Sequence, residues 1–379
     1  TLSTPPMVSS AFTWEKVYTL DFGVDFGFFD NRLNGTFDWY RRDTKGMLAP
    51  GMDLPWVVGV AAAKQNAANL KTYGWELELN WRDRIKDFNY RIGFNLYDSQ
   101  SEITKFNNET NLLGTYRKGQ KIGEIWGYRA DDLFLSNREI DDYLRNVNLT
   151  AFKSNDLWRR GDLKYIDSNG DGRVDGGKGT LADHGDLQII GNTTPKYSFG
   201  INLNLGYKGF EVSTLLQGVA KRDFPISGSN YMFGGNNYNF KEHLDYFSTE
   251  NPNGYLPRLT GWKDDKDFLV NTGYNTTRYL LNAAYMRMKN LTVAYTFNKK
   301  QLKHIGISNL KVYVTCDNLF TVTKLPKQFD PETLNQVNMS AGGDAQNTAP
   351  GLTSPMKQNG NGMVYPMNRN FVFGLDFTF

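Results

Sequence analysis

Apolar and polar positions alternate with a period of two in long segments of this chain. Between Tyr73 and Arg82, Tyr73, Trp75, Leu77, Leu79 and Trp81 fall on one face, with Glu76, Glu78 and Asn80 on the other. Phe88, Tyr90, Ile92, Phe94 and Leu96 oppose Asn89, Arg91, Gly93 and Asn95. Tyr197, Phe199, Ile201, Leu203, Leu205 and Tyr207 oppose Ser198, Gly200, Asn202, Asn204 and Gly206. At the C-terminus Phe371, Phe373, Leu375, Phe377 and Phe379 oppose Asn370, Gly374, Asp376 and Thr378. Alternation of this kind marks strands with two unlike faces. These runs exceed the usual strand of about 5–6 residues and match the roughly 9–11 that a tilted strand needs to cross a bilayer. A soluble β-sandwich also alternates. Its apolar faces, however, are seldom so aromatic at the strand ends, and the pattern favours an all-β, transmembrane antiparallel β-barrel.

The connections point the same way. Short turns at Asp30–Asn34, Asp83–Asp87, Lys208–Gly209 and Asn298–Asn309 alternate with long irregular stretches at about 49–70, 106–195, 222–278 and 324–366. Short periplasmic turns and long outer loops are the asymmetry of a bacterial barrel, whereas compact soluble domains rarely carry several loops this long. The spanning strands are predicted at 15–29, 33–48, 70–82, 88–105, 195–207, 209–221, 279–297, 309–323 and 366–379, the first and last both running toward the periplasm. Ile125–Phe134 reads as a strand too, but counting it would break that parity, so it is placed inside an outer loop. Nine is odd, and bacterial single-chain barrels are even-numbered; further strands are expected upstream, and the opening Thr1-Leu-Ser-Thr-Pro-Pro has neither an initiator Met nor a secretory signal.

Composition narrows the classes. A net charge of +3 over 379 residues argues against a nucleic-acid binder. Aromatics make up 14% of the chain although mean hydropathy is −0.53, and no apolar run of about 18 residues offers a membrane-spanning helix. A single cysteine, Cys316, excludes an intrachain disulfide framework. Three dispersed histidines (His184, His243 and His304) leave little for histidine-based catalysis. Glu76 and Glu78 sit two apart on the wet face, where they line a lumen rather than form an acid–base pair. No enzyme is expected.

Two constellations carry candidate chemistry, both in long loops. Asp167-Ser-Asn-Gly-Asp-Gly-Arg-Val-Asp175 has oxygen side chains at positions 1, 3 and 5, glycine at 6 and an acid at 9, the first part of a calcium loop. Asp167, Asn169, Asp171, the Arg173 carbonyl and Asp175 are the expected Ca²⁺ ligands, with Asp183 or Asp186 completing the shell. Lys178 stands where an EF-hand has its glutamate, so this is not an EF-hand; the alternative is a metal-free turn. The second constellation is aromatic: Trp126, Tyr128, Phe134, Tyr143, Trp158, Tyr231, Phe233, Tyr238 and Trp262, rings suited to stacking on sugars or capturing peptides, though many would simply pack the loops. Trp126, Tyr128, Arg129, Asp131, Phe134 and Tyr231 are the predicted substrate contacts.

Gly161-Asp-Leu-Lys-Tyr-Ile-Asp-Ser-Asn-Gly-Asp-Gly-Arg-Val-Asp175, followed by Ile190-Gly-Asn-Thr-Thr-Pro195, resembles the signature loop of SusC/RagA-type TonB-dependent transporters. Trp126-Gly-Tyr-Arg-Ala-Asp-Asp-Leu-Phe134 resembles that family's Gly-Tyr…Gly-Leu-Phe stretch, with Asp132 where glycine is usual. Tyr207-Lys-Gly-Phe210, Met286-Arg-Met-Lys-Asn-Leu291, Asp317-Asn-Leu-Phe-Thr321 and Phe329-Asp-Pro-Glu332 are similar to its C-terminal strands and loops. The resemblance runs from about Trp14 to Phe379. It implies that residues 1–379 are the C-terminal portion of a 22-stranded outer-membrane barrel, without its plug and N-terminal extension, and that 106–195 is a long extracellular loop with the calcium-like motif. It also implies a SusD-like lipoprotein lid, TonB engaged through the missing N-terminal region, contact with outer-membrane lipid, and import of glycans. Oligopeptide import is the alternative within the family, and a secreted carbohydrate-binding β-domain the rival outside it.

Overall fold

The structure is a computed structural model that describes residues 12–50, 63–130, 132–226, 241–260, 266–297, 302, 307–334 and 367–378. The first strands are β1 (Lys16–Phe28), β2 (Leu33–Pro50), β3 (Lys64–Ile85) and β4 (Phe88–Lys105). Four short strands follow within the next loop: β5 (Glu124–Gly127), β6 (Asp132–Leu133), β7 (Leu163–Lys164) and β8 (Gln188–Asn192). Then come β9 (Lys196–Tyr207), β10 (Phe210–Lys221), β11 (Asp223–Pro225) and β12 (Leu280–Asn282). The last are β13 (Tyr285–Phe297), β14 (Asn309–Asp317), β15 (Thr321–Thr323) and β16 (Asn370–Thr378). One antiparallel wall runs β1-β2-β3-β4-β9-β10-β13-β14-β16, with β15 beside β13. The remaining strands form two-stranded sheets, β5 with β8, β6 with β7 and β11 with β12.

Register turns the sequence alternation into two chemically distinct faces. Leu33, Trp81, Ile92, Leu203, Thr214, Leu291, Cys316 and Phe371 form one row across the wall. The adjacent row projects to the other face: Asn34, Asn80, Gly93, Asn202, Leu215, Asn290, Asp317 and Asn370. The polar face is cross-linked, with Thr36 donating to Asp25 at 2.8 Å, Thr72 and Ser101 sharing a bond of 2.7 Å, and Lys311 paired with Glu211 at 2.6 Å.

On the apolar face, Trp75 and Trp81 bracket Leu77 and Leu79, about 20 Å apart along an extended strand. That span is close to the roughly 25 Å apolar band of a membrane barrel with its flanking aromatic girdles. The girdle at the short-turn end is built by Phe88, Tyr207, Phe210 and Tyr295 in a single row, with Phe210 and Tyr295 rings 4.6 Å apart. Lys208 (φ 45) and Gly209 (φ 92) make a two-residue turn with both residues left-handed, which suits the twist of a hairpin and selects glycine at its second position.

Three details differ from the sequence reading. β2 and β3 stay paired out to Pro50 and Lys64, well into the stretch predicted as loop. Register shifts between Thr44 and Met47 and between Met47 and Leu48, with Gly46 at φ 72, absorb the irregularity that hides this pairing in the sequence. The predicted strand 279–297 is two, β12 and β13. The predicted strand 309–323 likewise breaks after Asp317, at Asn318 (φ 51), before β15 begins.

Candidate functional site

The connections 106–195, 222–284 and 324–334 share one hydrophobic core. Tyr128, Phe134, Ile140, Phe152, Trp158, Leu163, Tyr165, Val174 and Leu187 from the first pack with Phe224, Phe247, Leu256, Val270 and Tyr279 from the second and with Leu325 and Phe329 from the third. Tyr165 lies at its centre, stacked on Phe152 with centroids 4.3 Å apart, and its hydroxyl donates to the Val270 carbonyl. Helix α1 (Asn137–Leu144) covers one side; the Ser136 hydroxyl accepts Glu139 N–H at 3.1 Å as its N-cap.

A buried ionic node fastens the first two connections together. Lys153 and Asp162 have fully buried side chains, with Lys153 Nζ 2.7 Å from Asp162 and 2.6 Å from Asp267. Arg258 Nε donates to the other Asp162 oxygen at 2.6 Å, and Asn271 Nδ2 adds a bond of 2.9 Å. Lys153 also lies 4.6 Å over the Trp158 ring. Two cations and two carboxylates balance, which is how charges are tolerated away from water. Burial pushes the Asp267 carboxyl up, but hydrogen bonds from Lys153 and Arg258 outweigh it and hold the group below the usual carboxylate range. A second node ties the third connection to the wall: Arg287 on β13 pairs with Asp330 at 2.8 Å and Glu332 at 2.9 Å, while Lys289 and Gln217 also reach Glu332. Arg287 and Gln217 face each other in register, and Gln217 lies two positions along β10 from Leu215 on the polar face. The loops therefore fold over the polar side of the wall.

The predicted substrate contacts scatter. Tyr128 (4% exposed) and Phe134 (0%) are core residues rather than open rings, a correction to the sequence reading. Tyr128 meets Phe152, Tyr165 and Tyr274 edge-on at 5.2–5.8 Å, and burial raises its hydroxyl pKa. Tyr143 and Trp158 belong to the same packing; Tyr143 donates to the Tyr165 carbonyl. Arg129 is exposed. Trp126 is half-buried, with the Arg117 guanidinium 5.2 Å over its ring and His184 at 5.6 Å. Arg117 pairs with Glu124 at 2.7 Å, yet Arg117 Nη1, Trp126 Nε1 and His184 Nδ1 are buried polar atoms with no partner among the described residues. Asp131, Tyr231, Phe233, Tyr238 and Trp262 lie outside the described residues.

The calcium-like loop closes on itself through backbone amides. Asp167 accepts Gly170 N–H at 2.7 Å and Gly172 N–H at 2.8 Å, Asn169 accepts Asp171 N–H at 2.9 Å, and Asp171 accepts Arg173 N–H at 2.8 Å. Asp175 accepts Gly177 N–H at 2.8 Å. Asp186, only 1% exposed, folds back to accept Ser168 and Asn169 N–H on one oxygen and Asp175 N–H on the other. Burial raises its carboxyl above the usual range, with Asp167 adding to the shift, despite those donors. Among the described residues no group of three or more His, Cys, Asp or Glu side chains converges as a metal site. The Asp162 node and the Arg287–Asp330 node were missed by the sequence reading.

A strand wall with one lipid-compatible and one wet face, short turns at one end and a packed loop layer at the other, defines an outer-membrane β-barrel protein. No family model matches the chain. It is 28% identical over 380 residues to TonB-dependent receptor P3 of Formosa agariphila, covering 97% of this chain and 34% of that protein. To TonB-dependent receptor SusC of Bacteroides thetaiotaomicron it is 24% identical over 355 residues, covering 89% and 31%. The solved structure of the RagAB peptide transporter superposes with a TM-score of 0.65 at 24% identity, over 97% of this chain and 36% of that one. The chain thus spans about a third of the length of the relatives it matches. The chain is therefore similar over nearly all of its length to TonB-dependent receptors, SusC among them, and shares the fold of the RagAB transporter.

Proposed function

We propose that this chain supplies part of the wall and outer mouth of a TonB-dependent importer of oligomeric nutrients, glycans being the first reading. The observation that carries this is the fusion of two long connections into one rigid layer through Asp162, over a wall whose inner face is polar. Capture of a flexible oligomer at a mouth favours a pre-ordered surface, because ordering long loops at the moment of binding would cost affinity. Trp126 keeps a part-open ring that would stack on a sugar, and Arg129, exposed in the same stretch, would extend the contact. A SusD-like lipoprotein would cover this layer, and TonB would drive passage through parts of the receptor outside this chain. Peptide import is the second reading, favoured by the likeness to a peptide transporter.

Asp167, Asn169, Asp171 and Asp175, with the Arg173 carbonyl, are the hard-oxygen donors that would take Ca²⁺ if they turned from their present amide and Arg173 partners toward an ion. Bound there, the ion would stiffen the turn that Asp186 already anchors. Growth on the cognate oligomer tests the whole reading. Cells carrying Asp162→Ala with Arg258→Ala should lose uptake at unchanged surface abundance, and normal uptake would refute a role for the loop layer.

A further inference from the structure

Several constraints converge on the half-buried Trp126. β5 pairs with β8, and their register shifts between Ile125 and Trp126, directly before the indole. Ile125 is buried, and a bulge at this point re-aims the side chain that follows it. The Trp126 carbonyl accepts a hydrogen bond from Asn275 Nδ2 at 3.2 Å, and Tyr128 N–H donates to the Asn275 carbonyl at 2.9 Å. The backbone is thereby fixed on both sides of Gly127.

The indole itself is set by a buried ion pair. The Arg117 guanidinium lies 5.2 Å over the ring, and its Nη2 is 2.7 Å from Glu124, the two side chains being 3% and 7% exposed. The other Glu124 oxygen accepts Lys121 N–H at 2.9 Å, and Gln120 Oε1 accepts Arg117 N–H at 3.2 Å. His184 flanks the ring at 5.6 Å, inclined by 58°. A buried ion pair does little for stability as such, because desolvation offsets its attraction. This one does set an angle: held at Nη2, the guanidinium cannot swing away, and the ring beneath it keeps its orientation. Trp126 Nε1 is buried, so the part of the ring that reaches the surface is carbon. Such a surface packs on the C–H face of a pyranose and offers nothing to the amides of a peptide backbone.

We infer that Arg117, held by Glu124, is a positioning residue that presents Trp126 as a stacking platform for one pyranose ring of the imported oligomer. The inference rests on the glycan reading of import. Pre-ordering matters because an indole free to rotate must be immobilised when the sugar binds, which costs affinity.

The test uses full-length receptor labelled with fluorotryptophan, with hexasaccharides of glucose, mannose, xylose and galactose as probes. Fluorine NMR reads the ring directly, its signal assigned through Trp126→Phe. Arg117→Met with Glu124→Gln removes the pair without leaving a buried charge. This double variant should shift or broaden the Trp126 signal and weaken binding of the preferred hexasaccharide about tenfold. Trp126→Ala should weaken it about thirtyfold. Added to Trp126→Ala, the Arg117 and Glu124 changes should cost nothing further, whereas a merely structural pair would lower affinity again. Heat-modifiability gels establish assembly, and Arg117→Gln, which keeps a hydrogen bond to Glu124, stands in if the double variant does not assemble. An unchanged Trp126 signal, or unchanged affinity despite a changed signal, would overturn the positioning role and leave the glycan reading standing. No binding of any hexasaccharide by the wild type would overturn the platform, and binding of hexapeptides in their place would overturn the glycan reading as well.

Discussion

Asp162 accepts a hydrogen bond from Arg258 at 2.6 Å across 96 residues of sequence, while its other oxygen holds Lys153 at 2.7 Å. Removing one member of such a node leaves buried charge uncompensated. Asp162→Ala should therefore destabilise the loop layer by about 3–5 kcal/mol while sparing the wall. Hydrogen exchange should rise in 132–165 and 256–273, with heat-modifiability of the receptor unchanged. Equal protection in both segments would remove the node from the account.

Two adjacent residues test the faces. Leu203→Arg places a cation in the lipid-facing row beside Ile92, at a cost of about 2–4 kcal/mol at the bilayer midplane. Asn202→Arg projects to the wet face and should assemble almost normally. Equal assembly defects in a heat-modifiability gel would contradict the assignment.

These faces were legible in the sequence because a strand repeats every two residues, so Leu203 and Asn202 declare their sides locally. The loop layer was not. Tyr128 and Phe134 look like ligand rings in a stretch where polar and aromatic residues mix, and only the tertiary packing of connections far apart in sequence shows them to be core. Lys153, Asp162, Arg258 and Asp267 read as ordinary loop charges, since their pairings span up to 114 residues. The available signal was faint: Phe152 precedes Lys153 and Leu163 follows Asp162, so each charge has one large apolar neighbour. The Asp167–Asp175 spacing reads in the sequence as a calcium-like loop with a metal-free turn as its alternative, and the return of Asp186 was only one of two downstream candidates.

Gly161 is left-handed (φ 84), and an added Cβ would clash with the Phe247 ring. Gly161→Ala should cost about 1–2 kcal/mol for the conformation alone, plus the clash that separates the two connections. Limited proteolysis near 161 and 247 should accelerate at least as much as in Asp162→Ala; an unchanged digestion pattern would show that Phe247 yields freely.

Acidification should loosen the layer before the wall. The Asp267 and Asp330 carboxyls are both pushed up by burial but held below their usual range overall by their cationic partners, Lys153 and Arg258 for the first and Arg287 for the second. Their contribution is present above the unfolded value of about 3.9 and is lost as pH falls through the native one. Asp186, whose carboxyl is raised chiefly by burial, works in the opposite sense: its contribution is present at low pH and lost as pH rises. Hydrogen exchange followed from pH 7 toward 3 should show 256–273 opening first; simultaneous loss of the wall would contradict this order.

Asp186→Ala should leave the Ser168, Asn169 and Asp175 amides without their acceptor, a cost of about 1–3 kcal/mol. Calcium added to chelator-stripped receptor should raise the thermal midpoint of the loop layer, and Asp167→Ala with Asp171→Ala should abolish the rise. No shift in the wild type would make the motif a turn only.

The most direct measurement is mass spectrometry of material released from the full-length receptor purified out of detergent-solubilised outer membranes. The account predicts recovery from the membrane fraction with a ladder of bound masses spaced by one sugar residue. Recovery from the soluble fraction, or a membrane-derived receptor carrying no oligomer, would contradict it.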